Sequence, residues 1–389
     1  MRNSRLNFCL LVLCLVAGWR CAAQSIYFSS SSSVLSQNTL ARVDPNGGSQ
    51  VTLLTATGPS LNMLNRCTAV AVDALNERLF LIDGQSQAIS SANLDGTGLA
   101  LVKKGLTGYP TDLALDVLSR QIYYTISSTL QNGNTVQRMD YTGANNVAVF
   151  SATGSSGNGV SRCTAIALDI ASSMIFLADA GAQKIWSMSL AGSGLTALAV
   201  AANSFPTGLA VDTANQRVYF TLGSSQQSAN QVMRVDYNGT GLSSVFTASG
   251  GVQRCTALDV DLAHSAIYLS DAGANTLWRL PIGGGSATSI LSGLAATVKK
   301  VRWFGGPQTP PPPGLVGINL SGQNVVLTAT NGFAGHPYRL LTSTDVARPL
   351  AFWLPVSTNT LTASGNFTIT APNAFQPSSP AQFYILQVQ

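Results

Sequence analysis

The chain is short of charge and of histidine, and after its first two dozen residues it has no long apolar run. Asp, Glu, Lys and Arg make up only 10% of its 389 residues, and His264 and His336 are its two histidines. On the strand assignment below, His264 falls in a turn at the lower end of the repeats and His336 in a separate terminal segment. Neither can serve a Ser–His–Asp site at the opposite, upper end. No GxSxG elbow, HExxH helix, phosphate loop or CxxC pair occurs, so the ordinary signatures of hydrolase, zinc-peptidase, nucleotide and thiol-redox chemistry are missing. No later apolar run approaches the ~20 residues that cross a bilayer.

Residues 1–23 are read as a secretory signal. Arg2 and Arg5 give a basic start, Leu6 to Gly18 an apolar stretch, and Cys21-Ala22-Ala23 small residues before a cut at Gln24. Its loss would remove three arginines and no acid, lowering the net charge from +5 to +2 and withdrawing the case for nucleic-acid binding. Three of the six cysteines lie in that segment. Cys67, Cys163 and Cys255 remain, an odd number for an exported protein in which disulfides are the rule.

What is present is a repeat. Ile26-Tyr27-Phe28, Ile122-Tyr123-Tyr124 and Val218-Tyr219-Phe220 begin 96 residues apart, and Arg42, Arg138 and Arg234 keep the same step. Each unit has two similar halves. One reads RCTAVAVDALNERLFLID, RCTAIALDIASSMIFLAD and RCTALDVDLAHSAIYLSD, from Arg66, Arg162 and Arg254. The other reads PTDLALDVLSRQIYYTI and PTGLAVDTANQRVYFTL, from Pro110 and Pro206. Alternating strands bounded by Asp-Gly and Asn-Gly turns predict hairpins, and four strands per ~40–50 residues is the size of a propeller blade.

The aromatic strands, marked by Tyr27, Phe80, Tyr123, Phe176, Tyr219 and Tyr268, number six, which predicts six blades. The first lacks a preceding Asp-ended strand, so Val298 to Trp303 is expected to supply it and close the ring without a covalent bond. Tetrapeptides such as Phe80-Leu81-Ile82-Asp83 and Tyr268-Leu269-Ser270-Asp271 resemble, in degenerate form, the YWTD repeats of the low-density-lipoprotein-receptor family. That resemblance covers about residues 24–304 and implies a six-bladed β-propeller, a fold that hosts receptors, scaffolds and hydrolases alike.

Residues 305–313 (GGPQTPPPP) have the composition of a stiff spacer. Residues 314–389 predict strands at Asn324–Thr330, Tyr338–Thr342, Ala351–Val356, Phe367–Thr370 and Phe383–Val388. They resemble the small β-sandwich modules that end many secreted bacterial proteins, where the role is often attachment to the cell surface. The fold expected is thus all-β, a six-bladed propeller of three two-blade repeats plus a small C-terminal β-sandwich.

The upper face, where the inner strands begin, carries the candidate site. Arg66, Arg162 and Arg254 open alternate inner strands, and Asp83, Asp179 and Asp271 end the aromatic strands of the same blades. Intrablade ion pairs are the first expectation; a ring of guanidiniums for an acidic ligand is the second. Asp112, the one evident acid among the inner-strand starts, is grouped with Arg66, Arg162 and Arg254 as a candidate ligand contact. Three aligned cysteines on alternate blades stand too far apart for a disulfide or a shared zinc and are expected as buried thiols. Asp73, Asp116, Asp169, Asp212 and Asp261, one per blade, are expected to cap turns. Polar loops at Ser29–Gln37, Ile126–Thr135 and Leu222–Gln231 offer amides and hydroxyls to a partner. No cofactor or metal is expected. The reading is a secreted, non-catalytic propeller binding a protein or carbohydrate; a calcium-dependent esterase or lactonase, and a scaffold without a specific ligand, are the rivals.

Overall fold

The computed structural model describes residues 24–58, 64–128, 133–154, 158–201, 204–306, 314–332, 337–361, 365–374 and 382–388. Residues 1–23, read above as a signal, and most of the spacer lie outside them. The chain divides into two compact units, one of Ala22–Pro307 and one holding Gln308–Gln389. The described residues are all-β, with only short 3-10 turns between strands. No helix among them is long and apolar enough to cross a membrane.

The first unit holds six four-stranded antiparallel sheets. Sheet 2 is Cys67–Asp73, Arg78–Asp83, Ala88–Asn93 and Ala100–Lys104; sheet 3 is Tyr109–Asp116, Gln121–Ser127, Thr135–Asp140 and Val147–Ser151. Sheet 4 is Cys163–Asp169, Met174–Asp179, Lys184–Ser189 and Thr196–Val200; sheet 5 is Phe205–Asp212, Arg217–Gly223, Gln231–Asp236 and Ser243–Thr247. Sheet 6 is Cys255–Asp261, Ala266–Asp271, Thr276–Pro281 and Thr288–Leu291. Sheet 1 breaks sequence order: Ser25–Ser31, Thr39–Val43 and Val51–Thr55 are joined by Thr297–Phe304, which pairs along the free edge of Ser25–Ser31 from Ser25↔Phe304 to Ser31↔Thr297.

Burial explains the sequence pattern of each strand. Second strands such as Arg78–Asp83 are buried almost throughout, because both faces are covered by neighbouring sheets, and so they read as continuous apolar runs. Fourth strands such as Ala100–Lys104 are largely exposed and tolerate lysine. Phe80, Phe176, Phe220 and Tyr268 are each at most 2% exposed, placing the aromatic strands at the centre of the packing between sheets. Burying one such side chain contributes about 1.5–3 kcal/mol.

Turns lock the sheets to one another. Gly143 (φ +80°) comes so close to the preceding sheet that an added Cβ would stand 2.2 Å from the Val102 carbonyl oxygen. Gly47 makes the same approach to Ile290, at 2.1 Å, so sheet 1 packs on sheet 6. Ile26, Phe28 and Val43 of sheet 1 share a core with Ala257, Tyr268 and Leu277 of sheet 6 and with Val298 and Val301.

The second unit has two three-stranded sheets. One orders Gly314–Ser321, Asn324–Gly332 and Gly365–Ala371; the other orders Leu354–Thr360, Pro337–Ser343 and Phe383–Val388. Val325, Leu327 and Ile369 of the first meet Tyr338, Leu340, Tyr384 and Leu386 of the second in a common core. Two expectations are corrected. The strand Gly314–Ser321 is additional, its glycines having hidden it. The strand expected at Ala351–Val356 is displaced to Leu354–Thr360, because Leu350–Phe352 forms a 3-10 turn closed by Trp353 Nε1 donating to the Arg348 carbonyl at 2.8 Å.

Candidate functional site

The inner strands align residue for residue. Directly after the aligned residues Cys67, Pro110, Cys163, Pro206 and Cys255 stand Thr68, Thr111, Thr164, Thr207 and Thr256, and after Val298 in sheet 1 stands Lys299. Four of the threonines donate to a carbonyl of the next inner strand: Thr111 to Cys163 (3.2 Å), Thr164 to Pro206 (2.9 Å), Thr207 to Cys255 (3.4 Å) and Thr256 to Val298 (3.5 Å). These hydroxyls join neighbouring sheets where no ladder bond reaches. Lys299 occupies the sixth place with a long cation.

The expected ion pairs between Arg66, Arg162, Arg254 and Asp83, Asp179, Asp271 do not form among the described residues. The carboxylates are spent on backbone N–H groups instead. Asp83 accepts from Asn65 (2.5 Å), Arg66 (3.1 Å), Gln85 (3.0 Å) and Ser86 (2.9 Å). Asp179 accepts from Ser161, Arg162, Gly181 and Ala182 within 3.0 Å and from the Trp186 indole at 3.2 Å. Asp271 repeats this with Gln253, Arg254, Gly273 and Ala274, out to 3.1 Å. A carboxylate only accepts, and a fork of four N–H donors satisfies it as fully as a guanidinium would. The covariation of Arg with Asp is therefore one of backbone shape.

That leaves the guanidiniums to solvent. Arg66, Arg162 and Arg254 are all exposed. Arg66 Nε donates to Ser31 Oγ at 2.8 Å; the side chains of Arg162 and Arg254 have no hydrogen-bond partner among the described residues. Lys299 lies within reach of their field. Its ammonium is drawn below the usual lysine value, first by desolvation and then by the like charges of Arg66 and Arg254. Sequence reasoning missed Lys299, although its place in the threonine column marks it.

Asp112 takes no part in this exposed mouth. It is 1% exposed and accepts from Lys300 Nζ at 2.5 Å and from the Ile166 backbone N–H at 3.1 Å, with Arg302 Nη2 at 3.8 Å. Sheets 1, 3 and 4 are thereby tied through one carboxylate. Burial foremost, then Arg302, lowers the Lys300 ammonium to about 8, with Asp112 pulling the other way. The expectation of Asp112 as a ligand contact is corrected to that of an internal brace. Below it, all six inner strands line a cavity of about 320 Å³ with largely aliphatic walls, including Val72, Leu115, Leu168 and Val211, and with Asp259 and Arg302 as its charges. The Asp259 carboxyl is raised by burial, which Arg302 opposes.

The thiols of Cys67, Cys163 and Cys255 are free and buried. Burial, with Asp83 and Asp271 adding repulsion, pushes Cys67 and Cys255 up to about 12, and Cys163 moves in the same direction. The five turn aspartates cap as expected; Asp169, for example, accepts the Ser172 N–H at 3.0 Å. Among the described residues no three His, Cys, Asp or Glu side chains form a metal-holding group.

Buried asparagines hold the described parts of the upper loops. Asn38 accepts the Ser32 N–H at 3.1 Å and donates to the carbonyls of Ser32, Val34 and Leu35. Asn230 does the same for Ser224, Gln226 and Gln227, and Asn134 bonds both groups of Ser128. These three asparagines also fall 96 residues apart and are buried. Residues 129–132 of the middle loop lie outside the described residues.

No known protein family matches the chain, and no curated protein matches it. Solved structures do. A chain of the nidogen–laminin complex matches with a TM-score of 0.59 at 14% identity, over 73% of this chain and 100% of that one. TolB from Acinetobacter baumannii matches with a TM-score of 0.55 at 11% identity, over 72% of this chain and 66% of that one. At such identities the likeness shows the fold alone: a β-propeller.

Proposed function

We propose that the six sheets are the blades of one ring, sealed by Thr297–Phe304, and that the ring is a secreted binding module whose upper mouth takes an acidic segment of a protein partner. Residues 1–23 would be the export signal and 314–389 a β-sandwich that attaches the protein to a cell surface. One observation carries the reading: four cationic side chains, Arg66, Arg162, Arg254 and Lys299, stand at inner-strand starts while the nearby aspartates are turned to backbone N–H groups. Guanidiniums grip carboxylates bidentately, and a rigid ring adds little ordering cost. The structural likeness to a chain solved in a protein–protein complex agrees with this class. Against a calcium esterase, Asp112 is already neutralised by Lys300 and Arg302.

Calorimetric titration with an acidic peptide such as Gly-Glu-Glu-Asp-Glu-Gly tests this. Binding should weaken as salt rises and fall at least tenfold in R66A/R254A/K299A. Equal binding by that variant, with an unchanged salt slope, would sink the proposal.

A further inference from the structure

One residue before the threonine column's neighbours lies a second column. Directly ahead of Cys67, Pro110, Cys163, Pro206, Cys255 and Val298 stand Arg66, Tyr109, Arg162, Phe205, Arg254 and Thr297. Arginine therefore alternates with an aromatic ring from one inner strand to the next. Tyr109 and Phe205 fall 96 residues apart and hold one place in two copies of the repeat.

Both rings face water. Tyr109 is 62% exposed and Phe205 47%, while the prolines that follow them are buried. The strands do not require a ring there. Tyr109 and Phe205 pair with Ser127 and Gly223 at the outermost rungs of their hairpins, and the sister strands carry arginine or threonine in the same column. Thr111, Thr164 and Thr207 each bond the next inner strand, so Tyr109, Arg162, Phe205 and Arg254 form one continuous row. Aromatic surface held in water is unfavourable, and a partner that covers it recovers that cost.

We infer that the acidic segment taken by this mouth carries apolar side chains between its acids, which cover Tyr109 and Phe205 while the acids meet Arg162 and Arg254. The inference rests on the acidic-segment reading above and adds a hydrophobic requirement to it. Alternation makes the two demands compatible, because each ring has a guanidinium beside it to hold the neighbouring carboxylate. A guanidinium plane also stacks on any aromatic side chain that the partner brings. An acidic sugar chain would supply carboxylates too, but its many hydroxyls need hydrogen-bond partners. The hydroxyls of Thr111, Thr164, Thr207 and Thr256 are already spent on carbonyls of the next strand. An apolar side chain asks only for surface, and Phe205 offers nothing else.

Calorimetric titration of the full chain with two peptides of equal charge tests this. One is Gly-Glu-Phe-Glu-Asp-Phe-Glu-Gly, and the other has alanine in place of both phenylalanines. The phenylalanine peptide should bind at least tenfold more tightly, with the same salt slope, since both carry the same acids. Tyr109→Ser combined with Phe205→Ser should cut that advantage below threefold. Both side chains are exposed, so the fold should survive the change, and the peptide comparison on the unaltered chain needs no variant. Equal, salt-sensitive binding of the two peptides would overturn this inference and spare the acidic-segment reading; binding of neither would overturn both. Tighter binding by an oligogalacturonate than by the phenylalanine peptide, lost in the double serine variant, would assign the rings to sugar and overturn the inference as well.

Discussion

In sheets 2, 4 and 6 the second strand ends in an aspartate and passes to the third through a short turn; in sheets 1, 3 and 5 it passes through a longer loop held by an asparagine. The two solutions differ because the unpaired backbone groups differ. The short turn gathers N–H donors, and Asp83, Asp179 and Asp271 accept four or more apiece. The longer loop presents carbonyls, and the Asn230 amide donates to three of them while accepting one N–H. A carboxylate suits the first set and an amide the second. Each device is buried, so each site also sets where its loop can move.

The largest break of this scheme removes a strand. Deleting residues 296–304 leaves Ser25–Ser31 with an open edge and Lys300 absent from Asp112, and the first unit should fail to give a cooperative melt. Truncation after residue 313 should leave that unit's melting temperature unchanged. Equal damage by both truncations would refute the role given to Thr297–Phe304.

Asp179→Ala comes next, stranding four backbone donors and the Trp186 indole at a cost of about 3–5 kcal/mol in chemical denaturation. Asn230→Ala should cost about 2 kcal/mol, since a longer loop can turn some carbonyls to water. Reversal of that order would show that the two devices are not graded by the number of stranded groups.

The thiols sharpen the comparison through pH, because the inner strands of sheets 2, 4 and 6 carry cysteine at the aligned position where those of sheets 3 and 5 carry Pro110 and Pro206. Cys255 is raised from an ordinary value of about 8.5 to about 12. A raised acid stabilises the fold while protonated, and that contribution is lost as pH climbs from the unfolded value through the folded one. By pH 10 the wild type should lose about 2 kcal/mol relative to C255A, compared with their difference at pH 7. A pH-independent difference would contradict burial of the thiol. Smallest of all, Arg162→Ala should leave stability within about 0.5 kcal/mol, as an exposed side chain without a partner must.

Much of this was legible in the chain. The alternation in CTAVAVD and the capping aspartates report local geometry, so strands and turns could be read directly. The pairing of Arg66 with Asp83 was misread because covariation does not say whether a carboxylate meets a side chain or the backbone of the same residue. Asp112 was misread because its partner Lys300 lies 188 residues away. Asn38, Asn134 and Asn230 carried the signal of the repeat step and were overlooked as ordinary loop residues.

Sequence by itself determined the period, the number of aromatic strands and the place of each turn, because hydrophobic alternation and turn chemistry act over a few residues. Only the tertiary structure decided which charges are neutralised and which face water, since that depends on desolvation and on strands brought together from opposite ends of the chain.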